Sequence, residues 1–175
     1  AIDNFYTTTI YEKGAELIRM LNVLLGKSIF MNGISNYVSK FDGTYATIED
    51  FIKAVCPPKR LIDDKFDVGQ FSLWYSQIGT PHLCISRQWN PTSRKLVVEI
   101  EQVIPKNEEQ PILVIPILCS IVNSKNTSND ERLIILDKKK ERFEFLINDN
   151  KETKPVISFF RSFSAPVTWV TDYSD

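Results

Sequence analysis

The stretch Asn4-Phe5-Tyr6-Thr7-Thr8-Thr9-Ile10-Tyr11-Glu12-Lys13-Gly14-Ala15-Glu16-Leu17-Ile18-Arg19-Met20-Leu21 reads as the start of an amphipathic helix that carries a tyrosine in its first turn. Thr9 is a suitable N-cap, and Glu12, three residues on, can reach back to it to complete a capping box. Leu17, Ile18, Leu21, Leu24 and Leu25 recur at helical spacing and define one apolar face. Gly26 fits the position just past the helix end. Tyr11 then lies near the positive end of the helix dipole, where backbone N–H groups have no intrahelical partner. A phenol placed there can donate a hydrogen bond to a developing anion. The competing reading of a first-turn tyrosine is a packing or interface residue.

The helical pattern continues. Phe30, Met31, Ile34, Tyr37, Val38 and Phe41 repeat at helical spacing, and Asp42-Gly43 ends that segment. Thr47 with Asp50 forms a second capping box ahead of Ile48, Phe51, Ile52 and Val55. Pro57-Pro58 stops this third helix, because proline lacks the amide and clashes with the preceding turn. A charged loop over 59–65 follows. Asp67 with Gln70 caps a fourth helix that turns Phe71, Trp74 and Tyr75 inward and ends at Gly79.

At Gly79-Thr80-Pro81 the period changes from about 3.6 to 2. Leu83-Cys84-Ile85 begins a strand, and Asn90-Pro91 turns it. Leu96, Val98 and Ile100 alternate with Val97, Glu99 and Glu101, as on a half-buried strand. Residues 112–122 form a long apolar run, in which Pro116 marks an edge or a bulge. Segments 133–136, 142–147, 156–160 and 167–170 complete about seven short strands. The expected architecture is a two-part α+β chain: helices over 1–78, then an antiparallel β-sandwich over 79–175. Lys138-Lys139-Lys140 falls between two strands and reads as a solvated hairpin turn.

Composition excludes several classes. With 43% hydrophobic and 25% charged residues, the chain can bury a core. A net charge of -1 gives no reason to invoke nucleic acid or an anionic membrane. No apolar run approaches the roughly 20 residues of a membrane span. No basic segment followed by an apolar one marks a signal peptide. Cys56, Cys84 and Cys119 are odd in number and widely separated, which reads as reduced thiols in a cytoplasmic protein. Asn126-Thr127-Ser128 matches a glycosylation sequon and, in that setting, reads as a polar turn. The chain opens on Ala1 without an initiator Met, as expected of a piece cut from a longer chain.

Phe5-Tyr6-Thr7 followed by Tyr11-Glu12-Lys13-Gly14-Ala15-Glu16-Leu17-Ile18-Arg19-Met20 closely resembles the aminopeptidase N family of zinc metallopeptidases, of the gluzincin type. Three later stretches agree in order. Asp42-Gly43 with Ala46-Thr47 and Asp50-Phe51 resembles the family's next helix-loop-helix. Trp74-Tyr75-Ser76-Gln77-Ile78-Gly79-Thr80-Pro81 resembles the end of its catalytic domain, and Ser164-Ala165-Pro166-Val167 the end of the β-domain that follows. The resemblance spans nearly the whole chain. It implies that residues 1–78 are the helical remainder of a thermolysin-like catalytic domain. It also implies that Tyr11 is the catalytic tyrosine that donates to the oxyanion, and that Tyr6 lines a substrate side-chain pocket. Zinc would serve the full-length enzyme, with its ligands upstream of this chain. The partners implied are a peptide substrate, the rest of the catalytic domain and a C-terminal helical domain. Apolar faces left exposed, such as those bearing Leu17 and Phe30, could pair two copies.

The residues themselves set limits on this expectation. Zinc peptidases of this kind need two histidines one helical turn apart. His82 is the single histidine, so an HExxH motif is impossible and no metal ligands are expected here. His82 reads as a surface or interface residue at a strand start. Ser76 and Ser162 have no histidine motif with which to build a triad. Glu12 and Glu16 resemble an acid/base pair four apart, but a cap and an Arg19 partner are better uses for them. The piece alone is expected to be inactive. The alternative function is a non-catalytic module of helices and β-sandwich that binds a partner.

Overall fold

In the computed structural model, which describes residues 9–56, 66–104, 110–122, 131–147 and 154–172, the first described element is helical. The first turn, Thr9–Lys13, is π rather than α. The capping box expected at Thr9 rests on a side chain outside the described residues, and α1 (Gly14–Leu25) has no side-chain cap of its own. Leu17, Met20, Leu21, Leu24 and Leu25 are buried on one face of α1. Leu17 therefore belongs to the core, contrary to the expectation that its face lies open. The reason is the turn at Gly26. Its φ of 74° lets the chain reverse into α2 (Lys27–Phe41) without a connecting loop, and α2 packs back on α1.

Helix α2 buries only Gly33. Met31 and Val38 are more than half exposed, whereas Phe30, Ile34, Tyr37 and Phe41 are partly covered. Gly33 is buried because α3 (Ile48–Val55) crosses it: a Cβ there would sit 2.4 Å from the Val55 carbonyl oxygen. Tyr37 completes the contact, edge-on to Phe51 with ring centroids 5.0 Å apart. The second capping box is present as expected. Asp50 N–H donates to the Thr47 hydroxyl (3.2 Å) and Thr47 N–H to the Asp50 carboxylate (3.0 Å). The backbone N–H of Thr47, then its hydroxyl, hold the Asp50 carboxyl below its usual range. Asp67 caps α4 (Val68–Ser72) through the Gln70 N–H at 2.8 Å. That helix is shorter than expected and tightens into a 3₁₀ turn, Leu73–Tyr75, which buries Trp74. Pro57-Pro58 and the 59–65 loop lie outside the described residues, as does the 126–128 sequon.

The chain divides into two units between Gln77 and Ile78. The second unit has seven strands among its described residues: β1 (His82–Asn90), β2 (Lys95–Val103), β3 (Ile115–Val122), β4 (Glu131–Leu136), β5 (Lys140–Leu146), β6 (Val156–Ser158) and β7 (Thr168–Thr171). They form two sheets, ordered β5-β2-β1-β7 and β4-β3-β6. Four pairings are antiparallel. β7 runs parallel to β1, a departure from the all-antiparallel expectation. Alternation places Leu83, Ile85, Leu96, Val98 and Ile100 inward from the first sheet. Ile117, Cys119, Ile135 and Ile157 come inward from the second. Gln102 continues the inward series of β2 and is buried. Its side-chain amide accepts from Leu113 N–H (3.1 Å) and donates to the carbonyls of Leu113 (2.8 Å) and Lys138 (3.0 Å).

Two local expectations turn out differently. Pro116 sits in the central strand of its sheet, but β6 pairs only with residues from Ser120 onward. On the side that β6 does not reach, the buried Ser164 hydroxyl accepts the Leu118 N–H at 3.0 Å. Pro116 lies two residues earlier in that row, where no strand among the described residues asks for an amide. The three lysines at 138–140 are not a hairpin turn. β4 and β5 belong to different sheets, so these residues form a corner between sheets, and Lys140 already pairs with Glu99 at 2.6 Å.

Candidate active site

Tyr11 lies in the middle of the π turn, three residues before α1 begins at Gly14. Single π turns are an uncommon winding that recurs at functional sites. Tyr11 is 60% exposed in this chain. Helix α1 fixes the turn from one side, through Leu17, Met20 and Leu21 in the core. At that same end, the Lys13 ammonium donates to the backbone carbonyl of Gln77 at 2.5 Å, a contact 64 residues apart in sequence. Burial lowers the pKa of Lys13 below its usual value. Gln77 is buried at the end of the Trp74 turn, and its N–H donates to the Leu73 carbonyl at 2.9 Å.

Glu12 is exposed, and Glu16 is engaged in an ion pair with Arg19 on the same helix, the structural use expected for it. Tyr6 lies outside the described residues. A cavity of about 310 Å³ opens beside the start of α1, lined by Gly14, Ile18, Tyr37, Phe51 and Tyr75 among others. Burial raises the pKa of Tyr75 at its wall.

The remaining candidates are used structurally. His82 Nδ1 lies 2.9 Å from the Thr168 hydroxyl, a consequence of the parallel register that sets His82 opposite Thr168. Ser76 donates its hydroxyl to the Leu73 carbonyl. Cys56 and Cys119 are buried thiols, each pushed up to about 11 by desolvation, which leaves them poor nucleophiles at neutral pH. Lys13 is the residue that reading for chemistry passes over. Its signal was a cation at the positive end of a helix dipole, where it is disfavoured unless an acceptor elsewhere in the fold holds it.

The two units match two family models. Residues 1–74 match one described as "Peptidase family M1 domain", and residues 79–172 match "Domain of unknown function (DUF3458) Ig-like fold". Aminopeptidase N of Haemophilus influenzae is 36% identical over 98% of this chain and 20% of its own length. The Escherichia coli aminopeptidase N is 34% identical over 99% of this chain and 20% of its own. The chain belongs to the aminopeptidase N family of M1 peptidases. A crystal structure of Legionella pneumophila aminopeptidase A in complex with aspartic acid matches 99% of this chain and 19% of its own, with a TM-score of 0.82 at 30% identity. The chain thus spans about one fifth of the length of these aminopeptidases.

Zinc needs a convergent set of three or four His, Cys, Asp or Glu donors. Among the described residues no group of three such side chains could hold a metal ion. The described residues therefore do not fit zinc. Among the described residues no helix is long and apolar enough to cross a membrane.

Proposed function

We propose that this chain is part of a longer zinc-dependent aminopeptidase that hydrolyses N-terminal residues from peptides. Within it, residues 1–78 complete the catalytic domain, and residues 79–175 act as a spacer and packing domain. Tyr11 donates its phenol to the oxyanion that forms as the scissile carbonyl is attacked. Donors fixed in place before charge develops stabilise the transition state more than the ground state. The observation that carries this reading is the position of Tyr11. It is a large, exposed aromatic on a π turn whose last residue, Lys13, is tied to the Gln77 carbonyl, in a chain of the aminopeptidase N family. Tyr6, five residues upstream, shapes a substrate side-chain pocket. Metal ligands and most of the substrate site come from other parts of the longer protein. Three cysteines without a disulfide partner support a cytoplasmic setting.

The test is made on the longer protein that carries this chain. It should release N-terminal residues from peptides with a free amine and leave N-acetylated copies intact. Failure to release any residue would overturn the enzyme reading in favour of a partner-binding module.

A further inference from the structure

We infer that Lys13 is a positioning residue for Tyr11, and that its bond to the Gln77 carbonyl holds the π turn in the winding that aims the phenol. This inference rests on the catalytic reading of Tyr11 given above. Lys13 is the last residue of the π turn, and the first core anchor of α1, Leu17, comes four residues after it. The Gln77 carbonyl is a firm acceptor, because it follows the wholly buried Trp74 and its own residue is 7% exposed. The bond is charge-assisted, hence roughly twice as strong as a neutral one. It also joins elements 64 residues apart, so it fixes the turn against the core rather than against its own helix. Partial burial of the ammonium costs hydration, which the Gln77 carbonyl offsets. Without that bond the turn can rewind to α geometry and rotate the residues ahead of Gly14, Tyr11 included. A misplacement of about 1 Å can cost as much as 10²-fold in rate.

The experiment is a double-mutant cycle in the longer enzyme, with Tyr11→Phe, Lys13→Met and the pair. Lys13→Met keeps the apolar stem and removes the donor; kcat is taken per folded molecule. The expected result is a fall in kcat of roughly 10- to 100-fold for Lys13→Met with KM little changed. In the Tyr11→Phe background the same substitution should be nearly silent, because no hydroxyl remains to be aimed. Lys13→Arg, which keeps a donor, should recover most of the rate. A normal kcat for Lys13→Met beside an impaired Tyr11→Phe would overturn the inference alone. An equal loss in both backgrounds would also overturn it, since Lys13 would then act without Tyr11. A normal kcat for Tyr11→Phe would overturn the catalytic reading, and the inference with it. Should Lys13→Met fold poorly, Lys13→Arg decides: near-normal kcat supports the role, and a loss as deep as that of Tyr11→Phe contradicts it.

Discussion

Arg87 shows what a single residue can conceal. It follows Leu83 and Ile85 on the inward side of β1, at a position where alternation asks for an apolar side chain. Its side chain is only 3% exposed. Asp172, just past β7, makes this possible: its carboxylate accepts from Arg87 Nε (3.0 Å) and N–H (3.2 Å), and its carbonyl from the guanidinium (2.9 Å). Nothing in the sequence points from Arg87 to a carboxylate 85 residues away, because only the parallel pairing of β7 with β1 brings the two together. Asp172→Asn leaves a buried guanidinium with a weaker acceptor. It should cost about 1–2 kcal/mol at neutral pH, at the low end for charged hydrogen bonds because Asp172 is partly exposed. Burial alone would raise the Asp172 pKa, but the Arg87 and Lys154 interactions outweigh it and hold the carboxyl below its usual 3.8. A carboxyl depressed in the folded state adds stability that is full above the unfolded value and lost as pH falls through the folded one. Urea midpoints should therefore differ between wild type and variant at pH 7 and converge as pH drops below about 3.8. A gap that persists undiminished in strong acid would contradict this account of the pair.

At the scale of elements, local signals were legible where the chemistry is local. The Thr47–Asp50 box, the Asp67 cap, the Gly26 reversal and the strand alternation of Leu96, Val98 and Ile100 all involve neighbours in sequence. What was not legible depends on distant partners. Leu17 was expected to lie open and is buried, and the lysine corner was expected to be a hairpin. The π winding at Thr9–Lys13 was hidden too, since its capping residues read as an ordinary α start. Gly33, in a helix interior where glycine costs propensity, is where α3 crosses α2. Gly33→Ala would place a methyl against the Val55 backbone, which cannot swing aside like a flexible side chain. It should destabilise the helical unit by about 1–3 kcal/mol despite the better helix propensity of alanine. Gly14→Ala meets nothing within 4 Å and should be neutral or slightly stabilising. Thermal melts of the two variants test the contrast, and equal melting temperatures would refute a steric role for Gly33.

For the whole molecule, the change of hydrophobic period near Gly79 marked where helices give way to strands, but the sequence could not show how unevenly the individual elements are covered. Sheet residues such as Leu96, Val98, Ile115 and Ile117 are wholly buried, whereas α2 leaves Met31 and Val38 half in solvent. Hydrogen exchange on this chain should therefore open α2 well before the central strands β1, β2 and β3. Equal protection of α2 and β2 would mean that the helical unit is complete by itself. The candidate site was legible in part: Tyr11 came from the motif, and its π turn and Lys13 strut came only from the fold. The most direct test of the central claim is the kinetics of Tyr11→Phe in the longer enzyme, with its metal content verified. The substitution removes one hydroxyl and keeps the ring, so loss of an oxyanion donor should lower kcat by roughly 10²–10³, or about 2.7–4 kcal/mol, and leave KM nearly unchanged. A near-normal kcat at full metal occupancy would show that the Tyr11 phenol is structural and that the catalytic donor lies elsewhere.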